Sequence, residues 1–381
     1  MIAAAPLSFH AGMADFDAAA WNALAGDYPF LRHEFLAALE TSGCVAPATG
    51  WTPRHLRLGE AARPLALAPL YEKSHSWGEF VFDFAWARAW EGRGKAYYPK
   101  LLLAIPFTPA TGPRLLCAGE DEPARAAHCL AVLRGLEQDA QRRGRSSVHA
   151  LFIDEALQAA AREAGWLLRR DCHFQWQNRA YRDFEDFLAG FSSDKRKKVR
   201  RERRRIAEQG IEFRTHRGSE LDGATLERLH DLHAATFLRH GHLPYLNAEF
   251  FRLIATTMGE AFIAVLAERE REIVAAALYF RSGSVLYGRY WGAAGDFHSL
   301  HFECCYYQGI DYCIQHGLQR FEPGTQGEHK LARGFEPVLT WSAHWLADRA
   351  LRTAVARYLE REAASVTEYA DAAARHTPFR A

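Results

Sequence analysis

Several things are scarce or missing in this chain of 381 residues. Long apolar runs are missing: nothing approaches the roughly 18 uninterrupted apolar residues that a membrane span needs. The opening stretch, MIAAAPLSFHAGMADFDAAAW, lacks a basic region and carries acids early, so it does not read as a secretory signal. Cysteine is sparse and odd in number: seven residues, with no CxxC spacing. That pattern excludes a disulfide framework and suits reduced thiols in a cytoplasmic protein. Charge of one sign is absent overall, because 47 Lys and Arg meet 46 Asp and Glu. A net charge of +1 gives the whole molecule no steering field. There is no GxSxG elbow and no P-loop, and GRYWGAAG is not set in the βαβ unit a dinucleotide fingerprint requires. Low-complexity tracts are absent as well.

What is present is a chain with enough apolar residues, 49%, for two cores. It also repeats itself. Residues 160–176 read AAREAGWLLRRDCHFQW and residues 329–345 read HKLARGFEPVLTWSAHW. Each copy has a helix-like stretch, a Gly followed by an aromatic, a strand-like run, then a His and a Trp. The copies lie roughly one α/β domain apart. Around them the pattern alternates. A hairpin is expected over 54–71, a strand then a helix over 79–91, a helix over 122–143, and strands over 146–153 and 167–177. The second half repeats the order with strands at 211–215, 261–268, 272–281 and 284–291, a helix at 301–317, and strands at 318–323 and 337–346. Residues 347–375 read as terminal helix. The mixed order fits an α+β fold better than a doubly wound parallel sheet.

The positive charge is local. Residues 195–205, KRKKVRRERRR, hold nine basic residues and one acid. Helical spacing spreads them around a turn, so they cannot all be buried; Lys197, Lys198, Arg201 and Arg205 can share a stripe. With Lys195 they form a candidate anion site, for phosphates of an RNA, a nucleotide or a lipid headgroup; a solvated helix is the plainer reading. Residues 321–336, FEPGTQGEHKLARGFE, are the densest polar cluster on an apolar framework. Glu322 sits at a strand end, Gly324 and Gly327 permit a tight loop, and Glu328, His329, Lys330 and Arg333 follow. In LYGRYWG, alternation places Tyr287, Arg289 and Trp291 on one strand face and Tyr290 on the other, where Arg289 can hold a carboxylate or phosphate. Asp83 is an acid in an apolar run, either substrate-binding or fold-locking, and needs a partner. His298 and His301 lack the spacing of a metal pair. Cys304 and Cys305 read as packing residues, and His173 and His344 as structural.

The long blocks PFLRHEFLAALE, GEFVFDFAWA, YYPKLLLAIPFTPATGPRLL, LYGRYWG, LHFECCYYQGIDYCI and FEPGTQGEHKLARGFEP resemble those of the FemAB-like family of predicted N-acyltransferases, over roughly residues 20–350. The resemblance implies the GNAT acyltransferase fold in duplicate, as in Fem-type peptidyltransferases, and a peptidoglycan-related role. Fem-type enzymes carry a Lys just after the strand equivalent to the one ending at Glu322, so Lys330, with Phe335 beyond it, is the implied stabiliser of the oxyanion. Glu322 or Glu328, or a water, would accept the amine proton. His329, Arg333, Arg289, Tyr287, Trp291 and Asp83 would contact substrate. The chain departs from the ordinary GNAT phosphate loop. Acids stand near both candidate helix starts, Glu120, Asp121 and Glu122 in one half and Asp296 in the other. They would repel the pyrophosphate of CoA.

The expectation is therefore α+β, two tandem GNAT-like domains at 1–180 and 181–350, with the basic helix at 195–209 and a helical tail at 351–381. The expected chemistry is transfer of an acyl or aminoacyl group from aminoacyl-tRNA or acyl-CoA to a primary amine on a small molecule or peptide, with no metal and no tightly bound cofactor. A non-catalytic RNA- or membrane-surface-binding module on the same fold is the alternative.

Overall fold

The computed structural model describes residues 5–119, 121–239, 241–325 and 327–380, which leaves Glu120 outside the described residues. Two compact units divide the chain: Met1–Asp171 with Leu339–Glu368, and Cys172–Val338 with Tyr369–Ala381. The linear division at 180/181 and 350/351 does not contain this exchange of segments. The two repeated strands, Leu167–Gln177 and Glu336–Leu346, run across the unit boundaries, and each follows a glycine at positive φ, Gly165 and Gly334.

In the first unit, β1 (Leu7–His10), β2 (Trp51–Pro53), β3 (His55–Glu60), β4 (Arg63–Ala68), β5 (Leu70–Lys73), β6 (Lys100–Leu103), β7 (Leu116–Cys117) and β8 (Ser147–Leu151) form two groups. The order β1-β3-β4-β7 is antiparallel throughout. In β2-β5-β6-β8 the last pair is parallel, with Leu101 opposite Val148. A parallel pair needs a crossover, and the helix Glu122–Arg142 lies within it. Asp121 caps that helix, accepting from the Ala124 amide at 2.8 Å. Its Cys129, Val132, Leu133, Leu136 and Ala140 follow the 3.6-residue period and are buried in one cluster with Leu101, Val148 and Trp166.

The second unit repeats this plan. After the strand β9 (Leu167–Gln177) come β10 (Glu212–Arg217), β11 (Phe262–Arg269), β12 (Glu272–Arg281), β13 (Val285–Ala293) and β14 (Arg320–Glu322). The run β10 to β13 is antiparallel and β13 with β14 is parallel. Each unit is closed by the strand that follows its repeat copy's partner. Trp176 and Gln177 of β9 pair with β14, and Ser342–Leu346 of β15 (Glu336–Leu346) pair with β8.

Two local expectations are corrected. Residues 79–82 form no strand: Phe80 has φ 63°, and Asp83 is the N-cap position of the helix Phe84–Glu91. The single helix over 301–317 is interrupted, because Glu303–Tyr307 form a π-helical turn between Leu300–Phe302 and Gln308–Gln315. Such turns tend to occur at functional sites.

Candidate functional site

In the second unit, β14 ends at Glu322 and the chain enters a loop that tightens into the 3-10 turn Glu328–Arg333. Glycines hold both ends. Gly327 has φ 105°, and a side chain there would meet the His329 ring at 2.0 Å; Gly334 has φ 87°. The turn folds Lys330 inward until the residue is 1% exposed. Its Nζ donates to the Gly324 carbonyl at 2.6 Å, with no ion pair to it among the described residues. Burial pulls the ammonium down to about 7. His329 remains exposed and its Nε2 lies 2.8 Å from the Tyr306 hydroxyl. Glu328 is exposed and accepts from the Tyr369 hydroxyl at 3.0 Å.

Arg333 ties this turn to the basic helix, which spans Ser193–Glu208. Its guanidinium donates to both carboxylate oxygens of Glu202 at 2.9 and 3.0 Å and to the His329 carbonyl at 2.7 Å, and it lies 3.4 Å over the Phe302 ring. Tyr307 donates to the same carboxylate at 2.5 Å. Glu202, the one acid of the basic run, was not singled out from the sequence. The signal was there: Val199, Glu202 and Ile206 fall on one helical face, and all three are buried. Arg203 reaches Glu303 and Asp311 at 3.1 and 2.9 Å. Burial raises the Glu303 carboxyl above its ordinary value, and its Oε2 has no hydrogen-bond partner among the described residues. Glu303 is a second site candidate that sequence reasoning passed over. The π-turn that turns it inward leaves no mark in residue types.

The outer face of the basic helix carries Lys197, Lys198, Arg201 and Arg205, and Lys195 stands in its first turn; all five are exposed. Arg205 contacts His298 at 3.2 Å, and the other four have no ion pair among the described residues. On β13, a bulge separates the pairs Leu278↔Tyr290 and Tyr279↔Gly288, so Arg289 is the extra residue. Strict alternation of Tyr287, Arg289 and Trp291 therefore ends there. Tyr287 is buried, while Trp291 packs edge-on to His301 at 5.4 Å. Burial holds His301 down to about 4. The parallel ladder of β13 with β14 ends at Tyr287↔Glu322, while β13 continues to Ala293. Glu322 is largely buried and lies 3.2 Å from the Arg320 guanidinium.

Asp83 belongs to a different place, a buried polar network of the first unit. It accepts from Lys100 Nζ at 2.6 Å, Tyr97 at 2.6 Å and Ser76 at 2.5 Å. Lys100 also donates to Glu79 at 2.8 Å and to Ser76 at 2.8 Å. Burial opposes the charge on Asp83, but Lys100 and these donors outweigh it and hold the carboxyl well below the usual range. Among the described residues no group of His, Cys, Asp and Glu is arranged to hold a metal, and no helix is long and apolar enough to cross a membrane. None of the seven cysteines forms a disulfide.

A family model described as FemAB-like, peptidoglycan biosynthesis/recognition, matches residues 12–381. No curated protein matches the chain. Among solved structures, L-PGS from Bacillus licheniformis is 12% identical, with 86% of this chain and 96% of that one covered at a TM-score of 0.51. FemX is 13% identical over 81% of this chain and 92% of its own, at 0.48. A tandem GNAT protein from the clavulanic acid biosynthesis pathway is 12% identical over 90% and 98%, at 0.45. At these identities the likeness is one of fold.

Proposed function

Since the chain belongs to the FemAB-like family, we propose that its second unit transfers an acyl or aminoacyl group from a polyanionic activated donor to a primary amine. Membership of this family supports an acyltransferase. The observation that carries the finer reading is the two-sidedness of one helix. Its exposed face offers Lys197, Lys198, Arg201 and Arg205, with Lys195 exposed in the first turn, and its buried face grips the Lys330 turn through Glu202 and Arg333. A donor held by its phosphates on the outer face is thereby coupled to the position of Lys330. Aminoacyl-tRNA is favoured over acyl-CoA, because a row of separate cations suits a long phosphate backbone. Asp296, exposed ahead of the Leu300–Phe302 turn, disfavours a pyrophosphate there.

The chemistry follows from the site. The acceptor amine attacks the donor carbonyl, a C–N bond forms, and the carbonyl oxygen takes negative charge. Lys330 Nζ turns from the Gly324 carbonyl to that oxygen, in a water-poor setting where one donor counts for most. Glu322 or Glu303 accepts the amine proton as the C–O bond to the donor breaks. Glu303, raised by burial and with one oxygen unpartnered, is the better placed base. Glu328, exposed and held by Tyr369, is a surface residue in this scheme. Beyond Tyr287, where the ladder with β14 ends, an extended amide chain would lie along β13, with Arg289, Trp291 and His329 beside it. The acceptor would be an amine of a peptidoglycan precursor, and the setting cytoplasmic.

The test is binding and turnover with a donor panel: acetyl-CoA, long-chain acyl-CoAs, and aminoacylated against uncharged tRNA. Preference for charged tRNA supports the reading. Saturable acyl-CoA binding without tRNA preference moves the protein to ordinary acyl transfer. Salt-sensitive RNA or vesicle binding with no turnover on any donor would make it a binding module.

A further inference from the structure

The network around Asp83 continues past Tyr97 into two histidines and a serine, all inside the first unit. Tyr97 lies 3.1 Å from His149 Nε2, His149 Nδ1 lies 2.7 Å from His344 Nδ1, and His344 Nε2 lies 2.9 Å from Ser342 Oγ. The histidines face each other because β8 and β15 pair them across the ladder, and strand alternation puts Ser342 on the same face as His344.

One assignment of protons satisfies every contact of this chain. Tyr97 has one proton, and at 2.6 Å from an ionised carboxylate it gives that proton to Asp83. Towards His149 the phenol oxygen can then only accept, so His149 carries its proton on Nε2, where Ser147 Oγ at 2.8 Å can accept as well. Burial keeps both imidazoles neutral: His149 is pushed down to about 3 and His344 well below its ordinary value. A neutral imidazole has one N–H. His149 Nδ1 is therefore bare and accepts from His344 Nδ1, which leaves His344 Nε2 bare. In this assignment the Ser342 hydroxyl donates to it. The result is a hydroxyl on an imidazole base, oriented in series by a second imidazole, a phenol and a buried carboxylate.

Ser342 lines a cavity of about 130 Å³ together with Phe80, Phe82, Phe152, Trp341 and Arg170. Phe80 and Phe152 hold φ 63° and 54°, costly conformations for bulky residues. The Arg170 guanidinium lies 5.7 Å from the centroid of the Trp341 ring, and its Nε is buried with no hydrogen-bond partner among the described residues.

We propose that the first unit carries a second reactive site, in which Ser342 is a nucleophile for small carboxylic esters with an aromatic or short alkyl acyl group. The Ser342 proton passes to His344 Nε2 as Oγ bonds the ester carbonyl carbon. Arg170 Nε–H faces the carbonyl oxygen, and the aromatic side chains take the acyl group. The C–O bond to the alcohol then breaks, and the alcohol leaves with the proton from His344. Water, deprotonated by the same nitrogen, releases the acid and restores Ser342. This site is independent of the transfer reaction assigned to the second unit.

The experiment treats the full-length protein with phenylmethanesulfonyl fluoride, with intact mass and peptide mapping as readouts. One sulfonyl adduct on Ser342 is expected, together with a burst of nitrophenolate from p-nitrophenyl butyrate. His344→Gln should slow labelling at least about 100-fold, while Lys330→Met should label like the wild type. Absence of an adduct, or an adduct on any other hydroxyl of the wild-type protein, overturns the proposal without reference to how well any variant folds.

Discussion

Lys100 and Lys330 are both buried to within 1% of complete, one in each unit, and they end in opposite states. Burial opposes the charge on both. At Lys100, Glu79 and Asp83 outweigh burial and raise the ammonium above its ordinary value. At Lys330 one carbonyl is the partner, and burial pulls the group down to about 7. Burial alone therefore does not decide what a lysine does; its partners do. Lys100 is locked in a structural ion cluster. Lys330 has one carbonyl partner, and in the proposed reaction it exchanges that bond for a substrate oxygen.

The contrast can be broken by substitution. The largest effect falls on chemistry. Lys330→Met should lower turnover by about 10²–10³-fold, the cost of removing one oxyanion donor, with donor affinity unchanged and normal folding by circular dichroism. Next comes folding. Lys100→Met leaves Asp83 and Glu79 buried without their cation and should cost about 3–5 kcal/mol in denaturant unfolding. Glu202→Ala strands the Arg333 guanidinium at 3% exposure and should cost a similar amount. Arg200→Ala, removing an exposed pair between this helix and Glu185 of the helix Phe184–Ala189, should leave the unfolding midpoint where it is.

A pH series sharpens the comparison. If the charged form of Lys330 acts, turnover should fall as pH rises through about 7, a limb missing from the residual activity of Lys330→Met. Stability moves the other way. The folded pKa is depressed below the unfolded 10.5, so the unfolded chain binds more protons between about pH 7 and 10.5. This group's unfavourable contribution is therefore full below pH 7 and relieved as pH rises to 10.5. A modest change is expected from Lys195→Gln with Lys198→Gln: donor binding should weaken, and the slope of log affinity against log salt should drop by up to about 2.

The repeat, the helix–strand order of each half, the exposed cations of 195–205 and the glycine-gated turn around Lys330 could all be read from residue types, because each rests on local periodicity or on φ. What could not be read rests on pairing. The bulge at Arg289 adds one residue against its neighbour strand, which alternation along a single strand does not reveal. Asp83 reads as an acid in a strand, since its choice of Lys100 over the extended backbone is made across the fold. The π-turn at Glu303 has the same composition as a helix.

The most direct test of the account is a single-turnover experiment. Wild-type protein and Lys330→Met are each loaded with aminoacyl-tRNA and mixed with an amine-bearing peptidoglycan precursor, and product formation is followed with bound donor measured in parallel. The account predicts equal loading and a rate at least about 100-fold lower in the variant. Equal rates at equal loading would remove Lys330 from the chemistry and contradict the site proposed here.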